Sequence, residues 1–198
     1  GAEVTVLFGV SSASTAALAN AYAAQFKTQW VLGSVGGDAT TIAATNKAYV
    51  PLLFGAKGFS FAPAPTDATD EYIKLFQSIY ATAQPTQTFD NNVVAGMSNA
   101  FVAVQALQAA GSNLTRAGLI KTIEAKGASF ANPFLTPLGY SATAHVGATG
   151  YWIGTYDPTG ALKPDGGKYT VYTTDSGNGP VVESSYKRPA MPAKGLPN

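Results

Sequence analysis

The stretch Asn99–Lys126 reads NAFVAVQALQAAGSNLTRAGLIKTIEAK and decides the fold more than any other part of the chain. Apolar side chains recur at helical spacing through its first half and just before it, so one face of a helix is predicted to be buried. Gly111 is predicted to end this helix, and the Thr115 hydroxyl to cap a second helix. The predicted buried face of the first helix consists of Val94, Met97, Phe101, Val104 and Leu107.

Short apolar segments precede this helix pair. Val4–Phe8 is apolar at nearly every position, which is typical of a strand covered on both faces of a parallel sheet. Further strands are predicted at Trp30–Leu32 and Lys57–Pro63, and after the helix pair at Tyr151–Tyr156 and Lys168–Tyr172.

Helical patterns alternate with the early strands. The first helix is predicted to bury Leu18, Tyr22 and Phe26 and to end near Lys27. Asp38 is predicted to cap the next helix, which runs to about residue 44. This alternation predicts an α/β fold with a parallel sheet flanked by helices.

A break at Pro63-Ala-Pro65 indicates a hinge or linker. Asp67 is predicted to cap the helix that follows, and the core face of this helix is predicted to be Tyr72, Leu75, Phe76 and Ile79. At the other end of the chain, the prolines after Lys187 leave little apolar surface. Residues 187–198 are therefore predicted to form a flexible tail, with Lys187 and Arg188 as a solvated pair.

The composition excludes several classes of protein. The 198 residues include twelve basic and eleven acidic side chains, and a net charge of +1 predicts no nucleic-acid partner. There is no cysteine, which excludes disulfides, thiolate catalysis and cysteine-ligated zinc. No motif predicts a metal or cofactor, and no run approaches the roughly 20 apolar residues that span a bilayer. The N-terminus lacks signal-peptide features and opens into a strand, from which we expect a boundary inside a larger protein.

The sequence of the predicted helix pair resembles that of a known protein family. The run AFVAVQAL, followed by Ala-Gly-Ser and a helix that starts at Leu-Thr, resembles the late helices of type I periplasmic solute-binding proteins. The closest group is the branched-chain amino-acid receptors of ABC importers. Thr136–Tyr140 and Tyr151–Tyr156 resemble the closing strands of these receptors.

The resemblance implies an incomplete two-lobe architecture. Members of the family are nearly twice as long, so the chain resembles a C-terminal portion. By the family pattern, residues 1–63 and 151–186 belong to the second lobe, and residues 64–150 to a returning segment of the first lobe. The family traps its ligand between the lobes by hinge closure.

The resemblance also implies where a ligand contacts the chain. The contacts come from two loops that follow strands of the second lobe and from the start of the late helix, namely Val10, Ser11, Ser12, Ser34, Val35, Asp38, Met97 and Ser98. Val35 occupies the place where amino-acid receptors carry an acid that pairs with the ligand ammonium. Asp38 is a candidate to replace that acid and equally a helix cap. An uncharged or aromatic carboxylate ligand fits these loops better than an α-amino acid.

The implied function is that of the extracellular solute-binding component of an ABC importer, which binds a small organic solute and performs no chemistry. The implied partners are the small-molecule ligand and, in the full-length protein, the ABC permease. The implied location is periplasmic or extracellular, compatible with a membrane-anchored lipoprotein. A fragment of this kind is expected to dimerise or to pair with the missing N-terminal part, because its late helices would otherwise expose apolar surface.

Two other functions remain compatible with the sequence. Gly9-Val-Ser11-Ser-Ala13 is one residue short of the nucleophile elbow of α/β serine hydrolases, with Asp90 and His145 in the right chain order. His145 alone is more typical of a turn or surface residue. A ligand-sensing domain of similar fold, built into a receptor or regulator, is the third reading.

Overall fold

In a computed structural model, residues 2–173 and 179–193 are described. They divide into two compact units. Unit 1 contains the residues up to Ser60 together with Trp152–Thr170, and unit 2 contains Phe61–Tyr151 and the described residues from Val171 onward. Residues 152–170 are thus grouped with the first sixty residues, and the described residues from Val171 onward are not. The assignment of the units to lobes stays a prediction.

The described residues form nine strands and five α-helices. The strands are β1 (Val4–Leu7), β2 (Gln29–Leu32), β3 (Lys57–Ser60), β4 (Leu138–Ser141), β5 (Ala144–Ala148), β6 (Gly150–Tyr156), β7 (Leu162–Pro164), β8 (Val171–Thr173) and β9 (Val182–Glu183). The helices are α1 (Ser11–Ala23), α2 (Ala39–Asn46), α3 (Glu71–Ala83), α4 (Asn91–Ala110) and α5 (Arg116–Lys126).

The sheet of unit 1 confirms the predicted α/β class. Strands β1, β2 and β3 are parallel, with Leu7 beside Leu32 and Leu32 beside Gly58. Strand β6 pairs with β3 and β7 pairs with β6, both antiparallel. The buried core of this unit comprises Leu18, Leu32, Ile42, Leu53, Ala56 and Tyr156. Because β1 and β2 are parallel and in register, the loops that follow them leave the sheet at the same edge.

The first strand and helix differ from their predictions. Val4, Val6 and Phe8 are exposed, because β1 is the edge strand of the sheet and only its other face meets the core. Helix α1 buries Leu18 as predicted, together with Ser11, Ser14 and Thr15 of its first half, whereas Tyr22 is 77% exposed and Phe26 lies beyond the helix. Ser11 and Ser14 pack against residues 35–36, and the low hydrophobicity of such small residues is why the apolar pattern does not indicate their burial.

Helix α3 begins three residues later than predicted. The Asp70 carboxylate caps it by accepting hydrogen bonds from the amides of Tyr72 and Ile73. Asp67, the predicted cap, instead closes a turn by accepting from the Thr69 amide. Of the predicted core face of this helix, Tyr72 and Phe76 are buried, Leu75 is half-buried and Ile79 is exposed.

Helix α4 is confirmed, but its buried face is rotated from the predicted one. Val94 and Phe101 are buried, whereas Val104 and Leu107 are exposed. The rotation follows from Gln105, whose amide donates to the Ala131 carbonyl at 2.6 Å and accepts from the Ala131 amide at 2.7 Å. The observed buried residues are Val94, Ser98, Phe101, Val102, Gln105 and Ala106.

The ends of the helix pair agree with the sequence. Gly111 follows α4 with a φ of 77°, which favours glycine. Thr115 Oγ1 caps α5 by accepting from the Gly118 amide. By length and composition, helix α4 is long and apolar enough to cross a membrane, so the prediction that no segment approaches this length is wrong. This is weak evidence for a membrane-spanning segment, because the core helix of a soluble protein passes the same test.

The predicted flexible tail is wrong for the residues up to Met191. We call Tyr186–Met191 the C-terminal strap. The Arg188 guanidinium pairs with Asp70, donates to the Pro133 carbonyl at 3.1 Å and lies 5.0 Å from the centre of the Tyr72 ring. The Met191 amide donates to Glu71. Polar contacts hold the strap in place, although its apolar surface is small. Residues 194–198 of the predicted tail lie outside the described part of the chain. The last predicted strand begins at Val171, later than expected.

Burial of Tyr72 predicts a loss of stability at alkaline pH. Burial raises its pKa to about 12, against the lowering effect of Arg188. A folded-state pKa above the unfolded value of about 10 stabilises the fold below pH 10, and this contribution is lost as the pH rises through 12. Since the Tyr72 hydroxyl has no hydrogen-bond partner among the described residues, Tyr72→Phe is expected to leave stability at pH 7 within about 1 kcal/mol.

The measurement is the pH midpoint of alkaline unfolding, followed by circular dichroism and tyrosinate absorbance. We expect a higher midpoint for Tyr72→Phe than for the wild type. Tyr22→Phe is the matched control, because Tyr22 is exposed. Equal midpoints for Tyr72→Phe and the wild type would contradict the prediction.

Candidate functional site

Two loops meet at the carboxyl edge of the unit 1 sheet. Loop 1 (residues 8–10) joins β1 to α1, and loop 2 (residues 33–38) joins β2 to α2. The Ser11 hydroxyl, at the start of α1, donates to the Val35 carbonyl at 2.8 Å. The structure therefore brings together the two predicted loops, which are 24 residues apart in the sequence.

Glycines permit this close approach. A Cβ atom on Gly36 would lie 2.4 Å from Ser14 Oγ and 2.8 Å from the Gly9 carbonyl oxygen. A Cβ atom on Gly37 would lie 1.8 Å from the Tyr156 hydroxyl oxygen. The family resemblance predicts this glycine-rich segment to be a ligand-contacting loop, but the sequence does not indicate its packing, because the contacts involve residues distant in the chain.

The surface that the loops present is largely apolar. Val10 is 60% exposed and Val35 is 58% exposed. Phe8 is exposed as well, with its ring centre 5.6 Å from that of Phe59. Ser12 is exposed, and Ser34 is half-buried. A solute at this edge would meet two valine side chains and an aromatic ring, with few polar side-chain atoms.

The polar residues at this edge serve the fold. The Ser11 side chain is buried and engaged with loop 2. Asp38 is 3% exposed, and its carboxylate caps α2 by accepting from the Thr41 amide at 2.7 Å. Burial raises the pKa of the nearby Tyr156, and the negative charge of Asp38 adds to this shift. Asp38 is thus the predicted helix cap.

The two candidates in the late helix lie within unit 2. Ser98 is fully buried, and in the part of the chain that the structure describes its hydroxyl has no hydrogen-bond partner. Met97 is half-buried and packs with the aromatic cluster of Tyr72, Phe76 and Phe101. The side chains of both residues contribute to the interior of unit 2.

The three residues of the serine-hydrolase interpretation, Ser11, Asp90 and His145, each make other contacts. Ser11 Oγ donates to a backbone carbonyl, as described above. His145 is exposed, as predicted, and its Nε2 lies 2.9 Å from Glu124 Oε1. Asp90 caps α4 by accepting from the Val93 amide. Among the residues described, no group of His, Asp and Glu side chains could hold a metal ion.

Unit 2 contains a cavity that sequence analysis missed. It has a volume of about 470 Å³ and lies between α4, α5 and the β4–β5 hairpin. Its walls come from segments far apart in the chain, so no local pattern indicates it. The lining residues are Phe61, Asn99, Val102, Ala103, Ala106, Ile123, Phe130, Phe134, Tyr140, Gly147 and Ala148.

Solved structures share this fold at low sequence identity. A branched-chain amino-acid ABC transporter from Thermus thermophilus with bound valine matches 82% of this chain with a TM-score of 0.68 and 19% identity. A fatty-acid ABC transporter substrate-binding protein from Thermomonospora curvata matches 93% with a TM-score of 0.66 and 20% identity. An ABC transporter solute-binding protein from R. palustris in complex with benzoate matches 92% with a TM-score of 0.59 and 20% identity.

These structures define the class as the type I periplasmic binding fold. The chain spans less than half of each of them, namely 44%, 45% and 45% of their lengths. The family model for periplasmic binding proteins matches residues 1–161. The chain therefore belongs to the periplasmic binding protein family, whose members bind solutes and are not enzymes. No curated protein matches the sequence.

Proposed function

We propose that this chain is part of the solute-binding component of an ABC importer and that the carboxyl edge of unit 1 contacts a small organic solute. The observation that carries the proposal is the junction of loops 1 and 2 through Ser11 and Val35. In open α/β sheets, ligands bind at the carboxyl ends of the strands. The exposed valines beside this junction supply apolar contact area, and the serines supply hydrogen bonds.

The ligands of the related structures support a small organic solute without fixing its chemistry. Valine carries both an ammonium and a carboxylate, whereas benzoate and a fatty acid carry only a carboxylate. The fold accommodates both kinds, so the side chains of the loops must select between them.

The wider architecture is part of the proposal. Since the chain covers under half of its structural relatives, we take it as the C-terminal portion of a two-lobed receptor. Unit 1 would then belong to the second lobe and unit 2 to the first. Val10, Ser12, Ser34 and Val35 would contact the solute directly. Ser11 and Asp38 would hold the loops of unit 1 in place. Met97 and Ser98, the candidates of the late helix, would stabilise the interior of unit 2.

The proposal includes a location and a partner. Family membership supports a periplasmic or extracellular location, with a lipid anchor as one means of attachment to the membrane. The permease of the importer would receive the loaded protein. The exposed Val104 and Leu107 of α4 support association of the isolated chain, either as a dimer or with the remaining part of the receptor. Light scattering of the isolated chain tests this association, and a monomer at all concentrations would contradict it.

The experiment that tests solute binding is a thermal-shift screen on the complete gene product. The library contains branched-chain amino acids, fatty acids and aromatic carboxylates. A ligand at about 100 times its Kd is expected to raise Tm by about 3 °C for a protein of twice this length, because binding to the folded state alone stabilises it by roughly 2.7 kcal/mol.

The isolated 198-residue chain is the comparison. We expect the same ligand to bind it more weakly or not at all, because half of the contacts in a two-lobed site would be missing. Titration calorimetry gives both Kd values. The absence of any stabilising compound in the screen of the complete gene product would overturn the proposed function.

A further inference from the structure

We infer that the ligand carries no ammonium group toward unit 1: the site takes a small apolar solute, neutral or anionic, and Val35 sets this specificity. The inference rests on the proposed function, since it concerns the same edge of the sheet. It follows from where the acidic side chains of unit 1 lie, from what Asp38 does and from what loops 1 and 2 expose.

Two of the four acidic residues of unit 1 lie at the opposite edge of the sheet, and a third is engaged with backbone amides of its own turn. Glu3 precedes β1, and its carbonyl accepts from the first residue of β2. Asp165 pairs with Lys57, the first residue of β3, at 2.7 Å. Asp157 accepts from the Thr159 and Ala161 amides in the turn between β6 and β7. Glu3 and Asp165 are therefore near the amino ends of the parallel strands, away from loops 1 and 2, and the Asp157 carboxylate is occupied by the amides of its own turn.

The fourth acid, Asp38, is committed to the fold. Its side chain is buried, and its carboxylate caps α2. A carboxylate turned toward a ligand would leave the Thr41 amide without its present acceptor at a buried helix start. Asp38 is therefore not free to neutralise a ligand cation, and it does not replace an acid at position 35.

The exposed side chains of loops 1 and 2 are largely apolar. Val10, Val35 and Phe8 are apolar and exposed at the edge where the solute would bind. An ammonium group buried against them would lose its hydration and gain no counter-charge from unit 1, which is strongly unfavourable. An apolar body without an ammonium group gains contact area at the same place and incurs no such penalty.

The test compares ligands that differ only in the ammonium group. The pairs are leucine with 4-methylpentanoate, and phenylalanine with 3-phenylpropanoate. For the complete gene product, we expect the carboxylate without the ammonium to bind at least about tenfold more tightly in each pair that binds. Titration calorimetry or thermal shift provides the Kd values.

Val35→Glu is expected to reverse this preference, because the new carboxylate supplies the missing counter-charge and repels an anionic ligand. We expect at least about tenfold tighter binding of the amino acid and about tenfold weaker binding of the carboxylate. Val35→Gln is the matched control for size without charge and should not favour the amino acid. Val146→Glu places the same charge at an exposed valine of unit 2, far from loops 1 and 2 in sequence, and should leave the preference unchanged.

The outcomes separate this inference from the proposed function. If the wild type prefers the amino acids, or binds another solute through an ammonium group, the inference is overturned and solute binding stands. If Val35→Glu and Val146→Glu shift the preference equally, Val35 does not set the specificity. If no compound of the pairs or of the wider screen binds, the proposed function fails and the inference fails with it.

Discussion

Replacement of Gly37 by alanine is expected to lower the free energy of unfolding by about 2–3 kcal/mol, the upper range for overpacking in a well-packed interior. The new Cβ atom would lie 1.8 Å from the Tyr156 hydroxyl oxygen and 2.5 Å from its Cζ. The ring of Tyr156 has no room to retreat, because it is buried and Gly58 approaches it from β3, where a Cβ would lie 2.7 Å from the ring. Loop 2 must therefore move, and its contact with Ser11 is expected to weaken.

The measurement is urea-induced unfolding, with Gly96→Ala as the control. Gly96 lies in α4 with no atom within 4 Å of a new Cβ, so alanine there should stabilise the protein by about 0.5–1 kcal/mol through helix propensity. The double variant Gly37→Ala/Tyr156→Phe removes the closest contact and should recover part of the loss, as a double-mutant cycle would report. An unfolding midpoint of Gly37→Ala equal to that of the wild type would show that loop 2 does not pack on Tyr156 as described.

The same glycines mark what the sequence could and could not predict. The strand–helix alternation and the caps at Asp38, Gly111 and Thr115 depend on local patterns, and these were confirmed. The contact between loops 1 and 2 was expected only through the family resemblance, since no property of Gly36 or Gly37 alone indicates which residues pack against them. Close packing of distant segments is a property of tertiary structure, and a single sequence does not record it.

The errors have a common physical cause. The faces predicted for α1 and α4 follow the largest apolar side chains, whereas the observed faces follow the partners of each helix. In α4, a buried glutamine with two backbone partners turns the helix away from Val104 and Leu107. Hydrophobic periodicity therefore predicted the existence of these helices, but hydrogen bonding and small-residue packing set their orientation.

At the candidate site, the sequence alone did not determine the role of Asp38. The sequence left two roles open for Asp38, as a helix cap or as an acid facing the ligand. The structure selects the cap, because the carboxylate is buried and bonded to the Thr41 amide. The identity of the contacting residues is still a proposal, and the exchange at Val35 is the variant that tests it most directly.

Removal of the Asp70 carboxylate is expected to have the largest effect on unit 2. Asp70→Ala should lower the free energy of unfolding by about 3–5 kcal/mol, because it removes the cap of α3 and leaves the largely buried Arg188 guanidinium without its counter-charge. Asp70→Asn separates the two effects, since asparagine still caps the helix but carries no charge. We expect about 2–3 kcal/mol for it, mainly from the unpaired arginine.

Removal of both charges tests this assignment. Arg188→Met keeps an apolar side chain over the Tyr72 ring. The loss of unfolding free energy in the double variant Asp70→Asn/Arg188→Met should therefore be smaller than the sum of the two single losses by about 1–3 kcal/mol. Asp67→Asn is the control, because Asp67 lies in a turn beside α3 and does not cap it; its effect should stay below about 1 kcal/mol. Additive losses in the cycle would mean that the pair does not couple the C-terminal strap to α3. The Met191 amide of the strap donates to Glu71, the residue that follows Asp70. Release of the strap should therefore also appear as faster amide hydrogen exchange at Met191.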